Sequence, residues 1–205
     1  MSVGSDWDRR FSDPSHPWST EPDRLLVDLV DGLEPGRAVD LGAGTGRNSV
    51  WLASVGWDVT AVDASSVGLE KTREAAEAAG VEVKAVHQDL YRWSPAPATF
   101  DLVVMANLHP EPAHREQVFA RSSEALVEGG HLFVVGHHAD GIAKGAPGPP
   151  DPARRYTEDR LDGHFPGVRL DRLERIETGA ADEGGSYDLV LLAWGVKVAG
   201  GGSPA

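Results

Sequence analysis

Residues 38–53 read AVDLGAGTGRNSVWLA. The segment AVDL is typical of a buried β-strand, and SVWLA is typical of a helix with an apolar face. Between them lie three alternating glycines, which let a backbone turn tightly and approach a ligand closely: Gly42, Gly44 and Gly46. A strand, a glycine-rich turn and a helix in this order predict a nucleotide-type binding site.

The chain continues as alternating strands and helices. Strands are predicted at DVTAV (58–62), VEVKAVHQD (81–89), FDLVVMANLH (100–109) and HLFVVGHH (131–138). Helices are predicted at 25–33, at 65–79 with Gly80 as the C-terminal cap, and at 111–130. This alternation predicts an α/β fold with a doubly wound, mostly parallel sheet, helices on both faces, and ligands at the carboxyl ends of the strands.

Both ends of the chain depart from this alternation. Residues 169–179 and 187–198 are two successive strands without a helix between them, which predicts an antiparallel hairpin at one edge of a seven-stranded, Rossmann-like sheet. Residues 141–156 are rich in Gly and Pro and predict a loop. We expect an irregular arm or lid over residues 1–20, the folded domain over 21–197 and a disordered tail over 198–205.

Composition narrows the class of protein. The 205 residues are 40% hydrophobic and 25% charged, which fits one ordinary globular domain. The net charge of −13 argues against binding a nucleic-acid backbone, so we expect a small-molecule partner. The absence of cysteine excludes disulfides and thiolate zinc sites. The chain shows neither a signal peptide nor an apolar run long enough to span a bilayer, so we expect a cytoplasmic monomer or homodimer with no membrane contact.

The glycine turn differs from two common nucleotide-binding motifs. A dinucleotide fingerprint requires a third glycine where this chain has Arg47, and a P-loop requires a Gly-Lys-Ser/Thr ending that GAGTGRNS lacks. Asp63, at the end of the second strand, can accept hydrogen bonds from both ribose hydroxyls of a nucleoside. A nucleoside ligand without a pyrophosphate therefore fits the pattern.

At this point the chain resembles the class I S-adenosylmethionine-dependent methyltransferases. VDLGAGTGR corresponds to their first motif and AVDAS to their ribose-binding acid. The resemblance covers about residues 7–197 and is closest to the small tellurite-resistance and thiopurine methyltransferase-like group. It is carried there by WDRRF with the later PW, by GRAVDLGAGTGRNSVWLASVGWDVTAVD, and by VVGHH before a loop ending in DPARRYT.

The resemblance implies a set of residues that contact S-adenosylmethionine. The glycines of the turn, with the backbone of Ala43, would form the wall against the methionine and ribose portions, and Asp40 would fix the turn or reach the ammonium group through water. Asn107 would face the methionine amine and the methyl group. The ribose and adenine side would be formed by Asp63, Ala64, Gln88, Asp89 and Leu90. An aspartate after a strand is also a common cap of the next turn, which is the alternative for Asp89.

Two histidines are candidates for catalysis. His109 follows the fourth predicted strand and His137 ends the fifth, where a methyl acceptor would bind. A neutral imidazole is a suitable general base for an O–H or N–H acceptor, with His109 the first candidate and His137 the second. The alternative is that both are hydrogen-bonded wall residues. No metal is expected, because His137 and His138 are adjacent in a strand and point to opposite faces.

Trp18 lies in the N-terminal arm and could shield a sulfonium by cation–π contact, or it could merely anchor the arm. The resulting prediction is an enzyme that moves the methyl group of S-adenosylmethionine to a small molecule. A protein that binds this cofactor without methylating anything would carry the same motifs. A nicotinamide dehydrogenase is disfavoured by Arg47.

Overall fold

The structure is a computed structural model that describes residues 3–15, 18–178 and 188–199. The described residues form two compact units, one within 3–94 and 100–106 and the other within 95–99 and 107–199. None of the helices in the described part is both long and apolar enough to cross a membrane.

The first unit contains four helices and four parallel strands. The helices are α1 (Val3–Phe11), α2 (Arg24–Val30), α3 (Arg47–Ser54) and α4 (Ser66–Ala79). The strands are β1 (Arg37–Leu41), β2 (Asp58–Asp63), β3 (Val83–His87) and β4 (Phe100–Ala106). β1 pairs with β2 and β4, and β2 pairs with β3, all in parallel. Four of the five residues of β1 are buried, because it has a neighbouring strand on each side.

The second unit contains the remaining helices and strands. They are α5 (Pro112–Ala125), β5 (Leu126–His137), α6 (Glu158–Leu161), β6 (Val168–Thr178) and β7 (Asp188–Lys197), with short 3-10 helices at Ala139–Lys144 and Pro152–Arg154. β7 pairs antiparallel with both β5 and β6.

All seven strands belong to one sheet, in the order β3-β2-β1-β4-β5-β7-β6. This order confirms the predicted seven-stranded, mostly parallel sheet with an antiparallel hairpin at its edge. Gly80 ends α4 in the left-handed conformation, as the sequence predicted.

Two local predictions were wrong, the irregular conformation of the whole arm and the end of the helix that precedes β5. The arm is not irregular throughout, because residues 3–11 form α1. Trp7 and Phe11 are four residues apart and stack on one face of that helix with ring centroids 5.5 Å apart, and the prolines of this segment follow the helix. The predicted tail lies largely outside the described residues, since only 198–199 of it are described.

The helix predicted to reach Gly130 ends at Ala125. Leu126 already has extended backbone, and the backbone N–H groups of Ala98 and Thr99 donate to the carbonyls of Glu124 and Ala125. These bonds satisfy two carbonyls at the end of the helix and let the chain continue directly into β5. The Gly- and Pro-rich loop region contains two short 3-10 helices. The side chains of His138 and Asp151 cap them by accepting hydrogen bonds from the backbone N–H groups of Asp140 and Ala153.

Candidate functional site

The glycine turn between β1 and α3 has a conformation that suits glycine. Gly42, Gly44 and Gly46 have φ angles of 75°, 58° and 82°, in the left-handed region. The backbone N–H groups of Gly42 and Ala43 donate to the carbonyl of Val62 over 2.8 and 3.2 Å. The turn is therefore held against the end of β2, as the motif predicts.

Asp63, the last residue of β2, binds the turn through its carboxylate. Oδ2 accepts from the backbone N–H of Gly44 at 2.8 Å, and Oδ1 accepts from that of Ser65 at 2.7 Å. Burial raises the pKa of Asp63 above its usual value, although these backbone bonds oppose the shift. A carboxylate has about four acceptor positions, and the backbone N–H groups of Gly44, Ser65 and Ala64 occupy three of them, which leaves one for a ribose hydroxyl.

Asp40 is buried beneath the turn. Its Oδ2 accepts from the hydroxyl of Ser49 in α3 at 2.7 Å, and desolvation raises its pKa to about 6. This bond ties the end of β1 to the first helix after the turn. It supports the structural role of Asp40, namely fixing the turn, over direct contact with a ligand.

The predicted adenine-side residues lie along the ends of β2 and β3. The carbonyl oxygen of Ala64 is 2.9 Å from Nε2 of His87, and the N–H of Gln88 donates to the carbonyl of Asp63 at 2.9 Å. Asp89 Oδ1 accepts from the N–H of Tyr91 at 2.9 Å, which is the capping bond named above as its alternative role. Leu90 is buried. The structure thus brings Ala64 and Gln88 next to Asp63, and their contact with adenine stays a prediction.

Helix α1 packs directly on the glycine turn, which the sequence did not indicate. A Cβ at Gly44 would lie 3.1 Å from Cζ of Phe11, so the phenyl ring covers the turn. Asp8 Oδ1 accepts from the Ser65 hydroxyl at 2.6 Å and from the Val67 N–H at 3.1 Å, at the start of α4. These bonds hold the pKa of Asp8 below its usual value. The only sequence signal was the four-residue spacing of aromatic residues within WDRRF.

Trp18 belongs to the aromatic cluster on α1. Its ring centroid is 4.7 Å from that of Phe11 and 6.4 Å from that of Trp7. These contacts account for an anchoring role of Trp18. A contact with a sulfonium stays a prediction.

In the second unit, the segment after β4 presents Asn107 and His109. Asn107 is exposed and has a φ of 57°, and its N–H donates to the carbonyl of Val135 at 2.8 Å. His109 is 7% exposed and uses both ring nitrogens on backbone groups. Nδ1 donates to the carbonyl of Arg154 at 3.2 Å, and Nε2 accepts from the N–H of His137 at 3.3 Å.

These contacts keep the His109 imidazole neutral. Burial, followed by the neighbouring His137, lowers its pKa to about 3. A lone pair already engaged by a backbone N–H is a poor proton acceptor. The geometry therefore favours the wall role for His109 over its predicted role as general base.

His137 has a different environment. Its Nδ1 lies 3.0 Å from Oδ1 of Asp188, the first residue of β7, and its side chain is 15% exposed. The register pairs His137 with Val190, so Asp188 lies two residues along the antiparallel strand. Sequence reasoning missed Asp188, because nothing in the local sequence marks the first residue of β7 as the partner of a histidine on β5. No group of three metal-ligating side chains occurs among the residues that the structure describes.

The first unit fits S-adenosylmethionine by its chemistry. The carboxylate of Asp63 would hold a ribose hydroxyl, and the three glycines of the turn carry no side chains of their own. Asp40 places a second carboxylate behind the turn, which suits a cofactor that carries a positive charge.

The comparisons with known proteins agree with this geometry. Residues 38–130 match the protein family described as "Methyltransferase domain". Ribosomal RNA small subunit methyltransferase C of Alcanivorax borkumensis is 30% identical over 129 residues, which cover 59% of this chain and 39% of that protein. Thiocyanate methyltransferase 1 of Brassica oleracea is 35% identical over 142 residues, which cover 63% of this chain and 60% of that protein. The chain spans less than two thirds of the length of these curated relatives.

Solved structures show the same fold. The N-methyltransferase NodS from Bradyrhizobium japonicum WM9, in complex with S-adenosylhomocysteine, aligns with a TM-score of 0.74 at 15% identity, over 96% of this chain and 99% of that one. TehB from Haemophilus influenzae aligns with a TM-score of 0.68 at 17% identity, over 95% of this chain and 66% of that one. Residues 38–130 of this chain thus match a methyltransferase domain, and the solved structures share its fold.

Proposed function

We propose that this protein transfers the methyl group of S-adenosylmethionine to a small-molecule acceptor. The observation that carries the proposal is the carboxylate of Asp63, which backbone N–H groups fix against the glycine turn and which retains an acceptor position for a ribose hydroxyl. The bound cofactor supplies a methyl group that is activated by a positively charged sulfur.

The protein's part in this reaction is to bind, orient and exclude water. A nucleophile from the protein is not required, since the acceptor attacks the methyl carbon itself. Holding two reactants at near-attack distance contributes roughly 7–11 kcal/mol when their orientation is good. The buried, hydrogen-bonded state of Asp40 and Asp63 supports such rigid positioning on the cofactor side.

A small acceptor is favoured by charge. One relative acts, by its name, on ribosomal RNA and another on thiocyanate. Binding an RNA backbone draws mainly on clustered Lys and Arg, whereas this chain carries a net charge of −13. We therefore place the acceptor among small molecules, and we propose a cytoplasmic enzyme that acts as a monomer or homodimer.

Residues 1–20 and 141–156 are proposed to act as lid segments that become ordered when ligands bind. Phe11 already covers Gly44, the carbonyl of Phe11 accepts from Nζ of Lys71 at 2.6 Å, and Asp8 accepts from the Ser65 hydroxyl, so the C-terminal half of α1 is held against the turn and α4. Lid segments of this kind exclude water from a transfer reaction.

The test is methyl transfer from S-adenosylmethionine carrying a ¹⁴C-labelled methyl group to a panel of phenols, thiols and amines, with thiocyanate included. Labelled product with any acceptor supports the proposal. Binding of S-adenosylhomocysteine in calorimetry with no labelled product across the panel would instead indicate a protein that binds the cofactor without transferring its methyl group. The variant Asp63→Ala should weaken both signals. Asp58→Ala, at the exposed opposite end of the same strand, should keep both.

A further inference from the structure

Helix α1 presents one face to the connection between β2 and α4. Gly4, Asp8 and Phe11 are spaced at i, i+4 and i+7, so they lie on the same side of the helix. A Cβ at Gly4 would overlap the carbonyl oxygen of Ala64, which shows how closely the two backbones approach. This face of α1 therefore touches the residue that directly follows Asp63.

Asp8 caps α4 from outside that helix. Its Oδ1 accepts from the hydroxyls of Ser65 and Ser66 at 2.6 and 3.4 Å, and from the backbone N–H of Val67 at 3.1 Å. The first N–H groups of a helix lack partners within it, so an acceptor here is favourable, and a negative charge adds to the effect. Asp8 therefore holds both the first turn of α4 and Ser65, the residue that precedes it.

Ser65 connects Asp8 with Asp63. It is fully buried, its hydroxyl donates to Asp8, and the same oxygen accepts from the N–H of Gly68 at 3.0 Å. The backbone N–H of Ser65 donates to Oδ1 of Asp63 at 2.7 Å. Together with the bond from the Gly44 N–H to Oδ2, this contact fixes the rotation of the Asp63 carboxylate. A single residue thus links α1 to the group that would bind the ribose.

We infer that Asp8 is a positioning residue for the cofactor, because through Ser65 it holds the carboxylate of Asp63 in the orientation that receives a ribose hydroxyl. Docking of α1 and binding of the cofactor then stabilise each other, since both depend on the same hydrogen bonds. This inference rests on the proposed function. All the residues that it uses belong to the first compact unit.

A purely anchoring role of Asp8 leads to different expectations. It would lower the free energy of unfolding when Asp8 is replaced, but the folded variant would bind the cofactor as the wild type does. Asp8→Asn separates hydrogen bonding from charge, because the three bonds end on Oδ1 and an amide oxygen can accept them. Asp6→Asn is the matched control, since Asp6 is half exposed on the same helix and pairs with Arg9.

The first experiment needs no ligand. In protein labelled with ¹³C and ¹⁵N, three-bond NMR couplings to Cγ report the χ1 rotamer of Asp63. We expect a single rotamer in the wild type, in Asp8→Asn and in Asp6→Asn, and an average over several rotamers in Asp8→Ala. Circular dichroism checks that each variant folds. A folded Asp8→Ala variant that keeps the single rotamer of Asp63 would overturn the inference.

The second experiment measures the Kd of S-adenosylhomocysteine by calorimetry. Asp8→Ala should raise the Kd by about 10-fold or more, within the range for coupling between linked sites, whereas Asp8→Asn should restore it to within about 3-fold of the wild type. Asp6→Asn should leave the Kd unchanged. Ser65→Ala should raise it as well, and the double variant with Asp8→Ala should bind no more weakly than the weaker single variant, because both substitutions remove the same bond.

The third experiment uses the reciprocity of linked equilibria. If Asp8 couples α1 to the cofactor site, the cofactor must stabilise the docked helix to the same extent. S-adenosylhomocysteine should therefore slow hydrogen exchange in residues 3–11 of the wild type and of Asp6→Asn, and it should slow exchange there much less in Asp8→Ala. Equal slowing in Asp8→Ala and the wild type would contradict the coupling.

Four results of the calorimetry count against the inference. If the wild type binds S-adenosylhomocysteine and folded Asp8→Ala binds it equally well, Asp8 only anchors α1 and the proposed function stands. If Asp8→Asn weakens binding as much as Asp8→Ala, the charge matters rather than the hydrogen bonds, and the positioning role fails. If the effects of Asp8→Ala and Ser65→Ala add, the coupling does not pass through Ser65. If the wild type does not bind S-adenosylhomocysteine, the proposed function fails and the inference fails with it.

Discussion

Gly46→Ala should destabilise this protein more than Gly80→Ala does, although both replace a left-handed glycine. Their φ angles are 82° and 68°, so each substitution incurs the left-handed penalty of an alanine, about 1–2 kcal/mol. At Gly80 nothing lies within 4 Å of the added Cβ. That variant therefore measures the backbone penalty alone.

At Gly46 the added Cβ meets α4. It would lie 2.5 Å from Cγ2, 2.8 Å from Oγ1 and 2.9 Å from Cβ of Thr72. A rotamer change cannot move the Cβ of Thr72, so the two helices or the turn must shift, and overpacking of this kind costs about 1–3 kcal/mol more. The Thr72 hydroxyl also donates to the carbonyls of Gly44 and Gly68, at 3.1 and 3.2 Å, and these bonds would be disturbed.

The expected loss is about 2–5 kcal/mol for Gly46→Ala against about 1–2 kcal/mol for Gly80→Ala. In a chain of this size each kcal/mol lowers Tm by about 2–4 °C, so thermal unfolding followed by circular dichroism resolves the difference. Adding Thr72→Ser removes Cγ2 but keeps the hydroxyl, and it should recover part of the excess loss. Equal destabilisation by the two alanine variants, or no recovery with Thr72→Ser, would refute the steric argument.

Four further outcomes are expected. Asp63→Ala should weaken S-adenosylhomocysteine binding in calorimetry by about 1.5–3 kcal/mol, the range for hydrogen bonds to a charged group, and unchanged affinity in a folded variant would remove Asp63 from the site. His109 has a pKa of about 3 in the folded protein and near 6.5 in the unfolded chain, so the unfolded state binds more protons below pH 6.5. Chemical denaturation should therefore show that the free energy of unfolding falls by about 2 kcal/mol between pH 7 and pH 5 because of this group. The variant His109→Gln should not show that loss. For Asp40 the pH dependence runs the other way, because folding raises its pKa to about 6. Its contribution to the free energy of unfolding falls as the pH rises from 4 to 6, so the stability of Asp40→Asn should depend less on pH in this range. Equal pH dependence of the wild type and the variant would contradict the burial of Asp40. Hydrogen exchange in residues 1–20 and 141–156 should slow when S-adenosylhomocysteine is added, and exchange unaffected in both segments would mean that they are scaffold rather than lid.

The sequence by itself determined the sheet and the glycine turn. Residues of a strand, a left-handed turn and a helix follow one another in 38–53, so the hydrophobic period and the glycine pattern report their local geometry directly. The end of α5 was missed because the contacts that stop this helix are not local in sequence. Its last carbonyls are bonded by Ala98 and Thr99, which belong to a distant segment and leave no local stop signal.

Tertiary structure alone decided which polar groups meet. Asp188 lies 51 residues from His137, and Asp8 lies 57 residues from Ser65, yet each pair forms a direct hydrogen bond. The difference between His109 and His137 arises in the same way, since burial and backbone partners engage both nitrogens of His109 and leave one free on His137. Local periodicity depends on a residue's neighbours in the chain, whereas the proton affinity and the orientation of a side chain depend on what packs around it in space.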